Sequence, residues 1–267
     1  MSTESKNQRV EYVLFDMDGL LIDSERVYSE VTNSILARYG REMTWEIKAQ
    51  LMGKPERVGA ELMWSLLPGI ENDLSIDDYL SERRRLQDLQ WPLTKLLPGV
   101  YKLVKHLHAH NIPMAVATGS IRRNFELKTI DPRCDEDKLE IFKLFGDKVV
   151  CGDDSQTGRG PWTNERTVRG KPAPDIFLSA AEMIGRPVGR EEGGLGEVTE
   201  QQKVERSRGL VFEDGIPGVQ AALRAGMQVV WVPDPNLLAV EPSLDVARIP
   251  SIEQFRPEDY GLPPYDP

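Results

Sequence analysis

VEYVLFDMDGLLIDSE, residues 10–25, joins two features that conflict physically. Its first half is an apolar run with β-branched and aromatic members, which reads as a buried strand. The run stops at Asp16-Met17-Asp18-Gly19, with two carboxylates one residue apart. Carboxylates at the end of a buried strand are costly unless a cation offsets their desolvation. A divalent metal or a phosphate-handling site supplies that offset, and α/β folds place ligands at the carboxyl ends of their strands. The alternative is a turn in which Asp and Gly only satisfy backbone groups. An EF-hand loop does not fit: its glycine belongs at position six, and Leu20-Leu21-Ile22 falls where oxygen ligands are needed.

The 267 residues suffice for a sizeable core, as one large domain or one plus an insertion. Composition (40% hydrophobic, 28% charged) is that of a globular protein, and no apolar run is long enough to span a bilayer. Met1 to Gln8 is short and polar, with neither the apolar segment of a secretory signal nor the arginine-rich character of a transit peptide. Cys134 and Cys151 are too few for a disulfide framework and lack metal-site spacing. A cytoplasmic protein is expected, nuclear residence being the other option, with no membrane partner and a monomeric or weakly self-associating state. The net charge of -10 argues against binding nucleic acid polymers, which takes a basic stripe. An anionic substrate must then be captured by groups concentrated at one spot.

After Asp23 the pattern turns helical. Glu25 to Tyr39 carries Val27, Val31 and Ile35 at helical spacing and stops at Gly40. Thr44 can cap a short helix through Leu51, ended by Met52-Gly53, and Pro55 opens another to Leu67. Ser75, with Asp78 three residues on as an acidic variant of the capping box, starts a polar helix to about Gln90. The spacing therefore predicts an all-helical insertion over 24–97, leaving 9–23 and 98–267 as a discontinuous core. From Gly99 helix and strand alternate: a helix to His110, a strand at Pro113 to Ala117, a helix from about Ser120 to Thr129, and a short strand at Lys148 to Cys151. Cys151 to Gly170 reads as a long loop, and Lys171-Pro172-Ala173-Pro174 launches a helix from Asp175 to Ile184. Residues 186–208 read as a charged, glycine-rich surface loop. A buried strand at Leu210 to Phe212, a helix at Pro217 to Arg224 and a last strand at Met227 to Val232 follow, and the tail from Asp234 reads as coil. Apolar strands alternating with helices mean a doubly wound parallel sheet covered on both faces.

Polar residues recur at the strand ends: Asp16 and Asp18, then Thr118-Gly119-Ser120, Lys171 before a helix, and Glu213-Asp214. In a parallel sheet these ends share one edge, so they can converge though distant in sequence. Taken singly, each has an ordinary reading. Thr118 could be a helix N-cap, Lys171 a solvated loop lysine, and Glu213-Asp214 acids favouring a helix N-terminus. Their joint occurrence disfavours that account.

FDMDG, VATGS, GKPAPDIF and VFEDGIPGV resemble, in order, the four motifs of the haloacid dehalogenase superfamily, and the helical insertion looks like its small cap. Within it, ERVYSEV, the Met52-Gly53-Lys54 turn, LVFEDGIPGVQAALRAGMQVVWVPDPNL and FRPEDYGLPPY look most like the pseudouridine-5′-phosphatase branch, with longer segments at 154–169 and 187–208. The resemblance implies a Rossmann-like core and a Mg²⁺-dependent phosphomonoesterase acting through an aspartyl-phosphate. It implies Asp16 as nucleophile, Asp18 as general acid and base, and Lys171 as the group that neutralises the phosphoryl. Thr118 and the Gly119 N–H would bind phosphate, with Asp16, the Asp18 carbonyl, Glu213 and Asp214 as metal ligands. Glu25, Tyr28 and Lys54 in the cap would read the substrate, with pseudouridine 5′-phosphate leading and a sugar or polyol phosphate as the alternative. Sugar phosphomutases of the superfamily generally carry His where this chain has Tyr28, and a non-catalytic module would have lost Asp16 or Lys171.

Three other features are discounted. On a helix only His106 and His110 of the three alternating histidines share a face, so a surface role is expected rather than zinc. Gly193-Gly194-Leu195-Gly196 follows no strand and opens no helix, which excludes a nucleotide loop. Arg83-Arg84-Arg85 reads as a solvated helix face.

Overall fold

Alternating side chains of the central strands determine the layering. In the computed structural model, which describes residues 9–157, 159, 168–189, 198–240 and 244–266, six strands form one all-parallel sheet. They are β1 (Tyr12–Phe15), β2 (Met114–Ala117), β3 (Val149–Val150), β4 (Gly209–Glu213), β5 (Gln228–Trp231) and β6 (Ala247–Arg248), in the order β3-β2-β1-β4-β5-β6. That is the doubly wound order, with β1 and β4 at the point where the winding reverses.

The helices are α1 (Ser24–Leu36), α2 (Trp45–Leu51), α3 (Glu56–Leu66), α4 (Ile76–Gln90), α5 (Val100–Ala109), α6 (Arg122–Thr129), α7 (Glu136–Phe145), α8 (Asp154–Thr157), α9 (Asp175–Met183), α10 (Glu200–Ser207), α11 (Ile216–Arg224) and α12 (Pro235–Val240). Val13 and Phe15 share one apolar cluster with Leu103, Leu107, Ile141 and Phe145 of α5 and α7, while Tyr12 and Leu14 join Phe177 of α9 and Ala221 of α11 in another. The period-2 alternation of β1 thus feeds both layers.

Helices α1, α3 and α4 close a third cluster, with Val27, Val31, Ile35, Met63, Trp64, Tyr79 and Trp91. Two chain segments join this unit to the sheet, and they pair with each other. Asp23 N–H donates to the Lys95 carbonyl (2.9 Å), and Ile22 bridges Leu96 antiparallel. The returning segment is also clamped from the sheet side. The fully buried Lys138 on α7 donates to the carbonyls of Pro92 (2.9 Å) and Thr94 (2.6 Å) and to Thr94 Oγ1 (3.0 Å).

Several expectations need correction. Helix α7 occupies a stretch to which the spacing assigned no element; Asp135 caps it by accepting from Lys138 N–H (2.8 Å). Part of the expected loop 186–208 is α10, started by a full capping box between Thr199 and Gln202. Its eight residues are polar enough to hide among charged loop sequence, but the capping residues were visible. Helix α8 begins the long segment 154–169, and the tail expected as coil contains α12 and the edge strand β6, too short to read from a pattern. Residues 1–8, 158, 160–167 and 190–197, which include the Gly193–Gly196 run, lie outside the described residues. His106 is buried rather than on the surface, donating to the Pro263 carbonyl (2.9 Å) and stacking near Tyr265, so it anchors the tail. Arg83 is not solvated like Arg84 and Arg85: it lies over the Tyr79 ring and pairs with Glu56 at 2.6 Å. No helix among the described residues is long and apolar enough to cross a membrane.

Candidate active site

Strand register sets the centre of the site. Phe15 lies opposite Val116 and Phe212, so the next residues, Asp16, Ala117 and Glu213, lie at one level at the carboxyl edge of the sheet. Asp16 is buried, its N–H bonded to the Phe212 carbonyl (3.0 Å). Lys171, just before α9, donates to Asp16 Oδ1 and to Glu213 Oε1 (2.6 Å). Glu213 Oε2 accepts the Gly215 N–H (2.8 Å), so both its oxygens are engaged. Asp214 is buried beside them, its carbonyl accepting from Trp231 Nε1 (2.8 Å).

Burial is the main reason these carboxyls resist ionisation. It pushes Asp16 up to about 7, with Glu213 and Asp18 repelling and Lys171 opposing. Burial likewise raises Asp214 well above the usual range, helped by repulsion from Glu213, Asp16 and Glu25. Lys171 is held firmly protonated by Asp16 and Glu213, which outweigh its own burial. One ammonium among Asp16, Glu213 and Asp214 leaves a formal surplus of two negative charges. The loop leaves room for this crowding only because residue 19 is glycine. Its φ is +78°, and a Cβ there would come within 2.3 Å of Asp214 Oδ2.

This donor set fits a hard dication. Mg²⁺ is typically held by one or two carboxylates together with substrate phosphate and waters. Among the described residues no group of three or more His, Cys, Asp or Glu side chains is placed to hold a metal ion by itself, and a site of two carboxylates completed by a backbone carbonyl, phosphate and waters does not require one. The surplus charge and the carboxyls' reluctance to ionise are what a dication would relieve.

Asp18 lies on the other side of the same loop. Its Oδ2 accepts from Ser120 Oγ (2.7 Å) and, at 3.5 Å, from Thr118 Oγ1; its Oδ1 accepts from Lys128 Nζ (2.5 Å). Burial pushes this carboxyl up, but the Lys128 charge and these hydrogen bonds win and hold it below its ordinary value. Thr118 is no helix N-cap: α6 starts after Ile121, and the Thr118 hydroxyl accepts the Ser120 N–H (3.0 Å). Gly119 is exposed beside it.

For the three residues of the helical insertion expected to read the substrate, the picture is mixed. Glu25 packs where a Gly19 Cβ would touch it at 2.8 Å, and it pairs with the buried Lys48 of α2 (2.9 Å). Tyr28 crosses the Trp91 ring at 4.8 Å, and its hydroxyl accepts from Lys128 (3.2 Å). Lys54 is exposed. Gly53 next to it lies against the start of α11: a Cβ there would come within 2.9 Å of Pro217, and Met52 reaches Gly215 just before it. Sequence reasoning missed Lys48 and Lys128, and it placed Ser120 at the strand end without assigning it a partner. Lysines in amphipathic helices read as solvated, so neither lysine carried a signal in the sequence.

A family model described as haloacid dehalogenase-like hydrolase matches residues 10–226. The chain is 41% identical over 258 residues to (DL)-glycerol-3-phosphatase 2 of Arabidopsis thaliana, covering 96% of this chain and 93% of that protein. It is 38% identical, again over 258 residues, to a probable pseudouridine-5′-phosphatase of Drosophila melanogaster, covering 97% and 96%. The crystal structure of a HAD hydrolase, family IA, variant 3, from Entamoeba histolytica superposes with a TM-score of 0.64 at 23% identity, covering 94% of this chain and 98% of that one.

Proposed function

The chain belongs to the haloacid dehalogenase-like hydrolases and is a phosphatase, and from that premise we propose a Mg²⁺-dependent phosphomonoesterase that works through an aspartyl-phosphate on Asp16. The observation that carries this reading is the buried cluster of Asp16, Lys171, Glu213 and Asp214 with its surplus negative charge. In the first half-reaction an Asp16 oxygen attacks phosphorus, and the departing ester oxygen takes a proton from the protonated form of Asp18, a minor form because Lys128 and the hydrogen bonds favour the carboxylate. In the second, water attacks phosphorus and gives its proton to the Asp18 carboxylate, and Asp16 leaves as inorganic phosphate forms. Lys171 offsets the charge of Asp16 and of the incoming dianion, while Thr118 and the Gly119 N–H hold phosphate oxygens. Asp16, Asp214 and the Asp18 carbonyl would hold Mg²⁺. Glu213 acts through water, a reading supported by its two occupied oxygens. When bound, the ion supplies positive charge against the phosphate and the carboxylates.

We assign residues 24–97 as the cap that excludes water and selects the leaving group, in a cytoplasmic enzyme acting on a small phosphorylated substrate. Pseudouridine 5′-phosphate is the leading substrate, supported by the Drosophila relative. Glycerol 3-phosphate is the second reading, favoured by the Arabidopsis relative. The discriminating experiment measures kcat/KM for both, and for hexose 6-phosphates, with Mg²⁺ and with a chelator. The proposal expects pseudouridine 5′-phosphate to win, and Glu25→Ala or Lys54→Ala to shrink its lead while sparing p-nitrophenyl phosphate. A lead for glycerol 3-phosphate would transfer the assignment to the second reading, and full activity in excess chelator would remove the metal.

A further inference from the structure

Lys128 is not itself a reacting group in the reaction as written above, yet four segments of chain converge on its ammonium. The side chain is fully buried on α6. Its Nζ donates to Asp18 Oδ1 from the first strand's loop (2.5 Å), to Ser120 Oγ (3.1 Å) and to Tyr28 Oη of the first cap helix (3.2 Å). It also lies 4.3 Å from the centre of the Trp91 ring and 5.1 Å from that of Tyr28. An ammonium has three donors, and all three are used. None is left for a phosphate oxygen or for substrate, so whatever Lys128 does for the reaction it does through its partners. Of these partners only Asp18 carries chemistry. With Lys128 on Oδ1 and Ser120 and Thr118 on Oδ2, the carboxylate has both oxygens tethered. Stability alone does not call for such a pair, because a buried ion pair replaced by well-packed apolar groups is often neutral or better.

We propose that Lys128 is a positioning residue for the second half-reaction, holding the Asp18 carboxylate where it takes the proton of the attacking water. The proposal rests on the phosphatase reading above and deepens it. In that step the water oxygen bonds to phosphorus as the bond to Asp16 breaks, and the proton passes to Asp18. Tyr28 and Trp91 make the tether partly a property of the cap, since both rings come from that side of the molecule.

The test uses p-nitrophenyl phosphate, whose leaving group barely needs an acid, so the two half-reactions separate in a rapid-mixing experiment. Lys128→Met should release about one p-nitrophenolate per site in a burst at a rate within a few-fold of wild type. The steady rate should then be about 100-fold lower, the size of a lost general base. Asp18→Asn should do the same, and the double variant Asp18→Asn/Lys128→Met should be no slower than Asp18→Asn by more than about threefold, because the lysine would act only through Asp18. A burst rate that falls together with the steady rate, or a double variant losing a further tenfold or more, would overturn the proposal in favour of a structural role. If Lys128→Met does not fold, the neutral double variant and Tyr28→Phe decide the matter. Tyr28→Phe should enlarge the burst and slow the steady rate several-fold; an unchanged Tyr28→Phe with a further-impaired double variant overturns the proposal. A wild type that releases no p-nitrophenolate overturns the phosphatase reading itself, and this inference with it.

Discussion

Gly19→Ala tests the geometry of the site without removing a reacting atom. Alanine must adopt φ near +78°, a left-handed conformation that costs an L residue roughly 1–2 kcal/mol. At about 2–4 °C per kcal/mol for a chain of this size, the melting temperature should fall by about 2–8 °C, leaving a folded protein. The new methyl would also sit 2.3 Å from Asp214 Oδ2, where ordinary contact begins at 3.4 Å, so the carboxylate or the loop must move by about 1 Å. A misplacement of that size costs on the order of 100-fold in rate. The expected result is therefore a mild loss of stability beside a kcat/KM about 100-fold lower, measured with p-nitrophenyl phosphate in excess Mg²⁺ alongside circular dichroism melts. Activity within threefold of wild type would refute the reasoning, since Asp214 would then have no fixed place in catalysis.

Asp16→Asn should abolish turnover and any acid-stable phosphoenzyme. Its melting temperature at pH 8 should be higher than that of wild type, because the change removes a carboxylate whose burial opposes ionisation; a lower value would count against that account of the cluster. In the absence of metal, the raised Asp16 and Asp214 pKa values mean that the folded chain binds more protons than the unfolded one, so this cluster's contribution to stability falls as pH rises from about 4 through about 7. Mg²⁺ competes with those protons, so the thermal shift it produces should grow between pH 5.5 and pH 8, and a shift independent of pH would contradict the ligand assignment. Lys138→Met should cost about 2–4 kcal/mol in denaturant unfolding, since the carbonyls of Pro92 and Thr94 lose their donor in a buried place; a loss below 0.5 kcal/mol would mean that water replaces the ammonium.

The parts of the site that were legible in sequence are those tied to strand ends. Asp16, Thr118 and Asp214 each follow an apolar strand, and a parallel sheet brings such positions to one edge whatever their separation, while Lys171 was legible from the Lys-Pro-Ala-Pro start of the helix after it. Lys128 was not legible, because its partner Asp18 is 110 residues away and a lysine on a polar helix looks solvated until tertiary packing buries it. The same holds for Lys138 and for Lys48, whose burial depends on neighbours from other elements. Among the elements, α7 and α10 have polar or mixed faces and were recognisable by their caps, Asp135 and Thr199, rather than by periodicity. Strand β6 is two exposed residues, and only its pairing with β5 makes it a strand.

The lysine of α7 that grips the return segment also bears on how such enzymes exchange parts. A helical insertion with its own apolar centre looks like a portable module, joined to the sheet by two short crossings. Here one crossing depends on a residue more than forty positions downstream of it: the carbonyls of Pro92 and Thr94 are met by Lys138. A chimera that takes residues 24–97 from this chain onto a relative's sheet would inherit those carbonyls without their donor, unless the host presents a cation at the matching turn of its own helix. The transplantable unit is therefore larger than the inserted stretch, and any exchange of residues 24–97 would have to bring along a side chain that lies outside them.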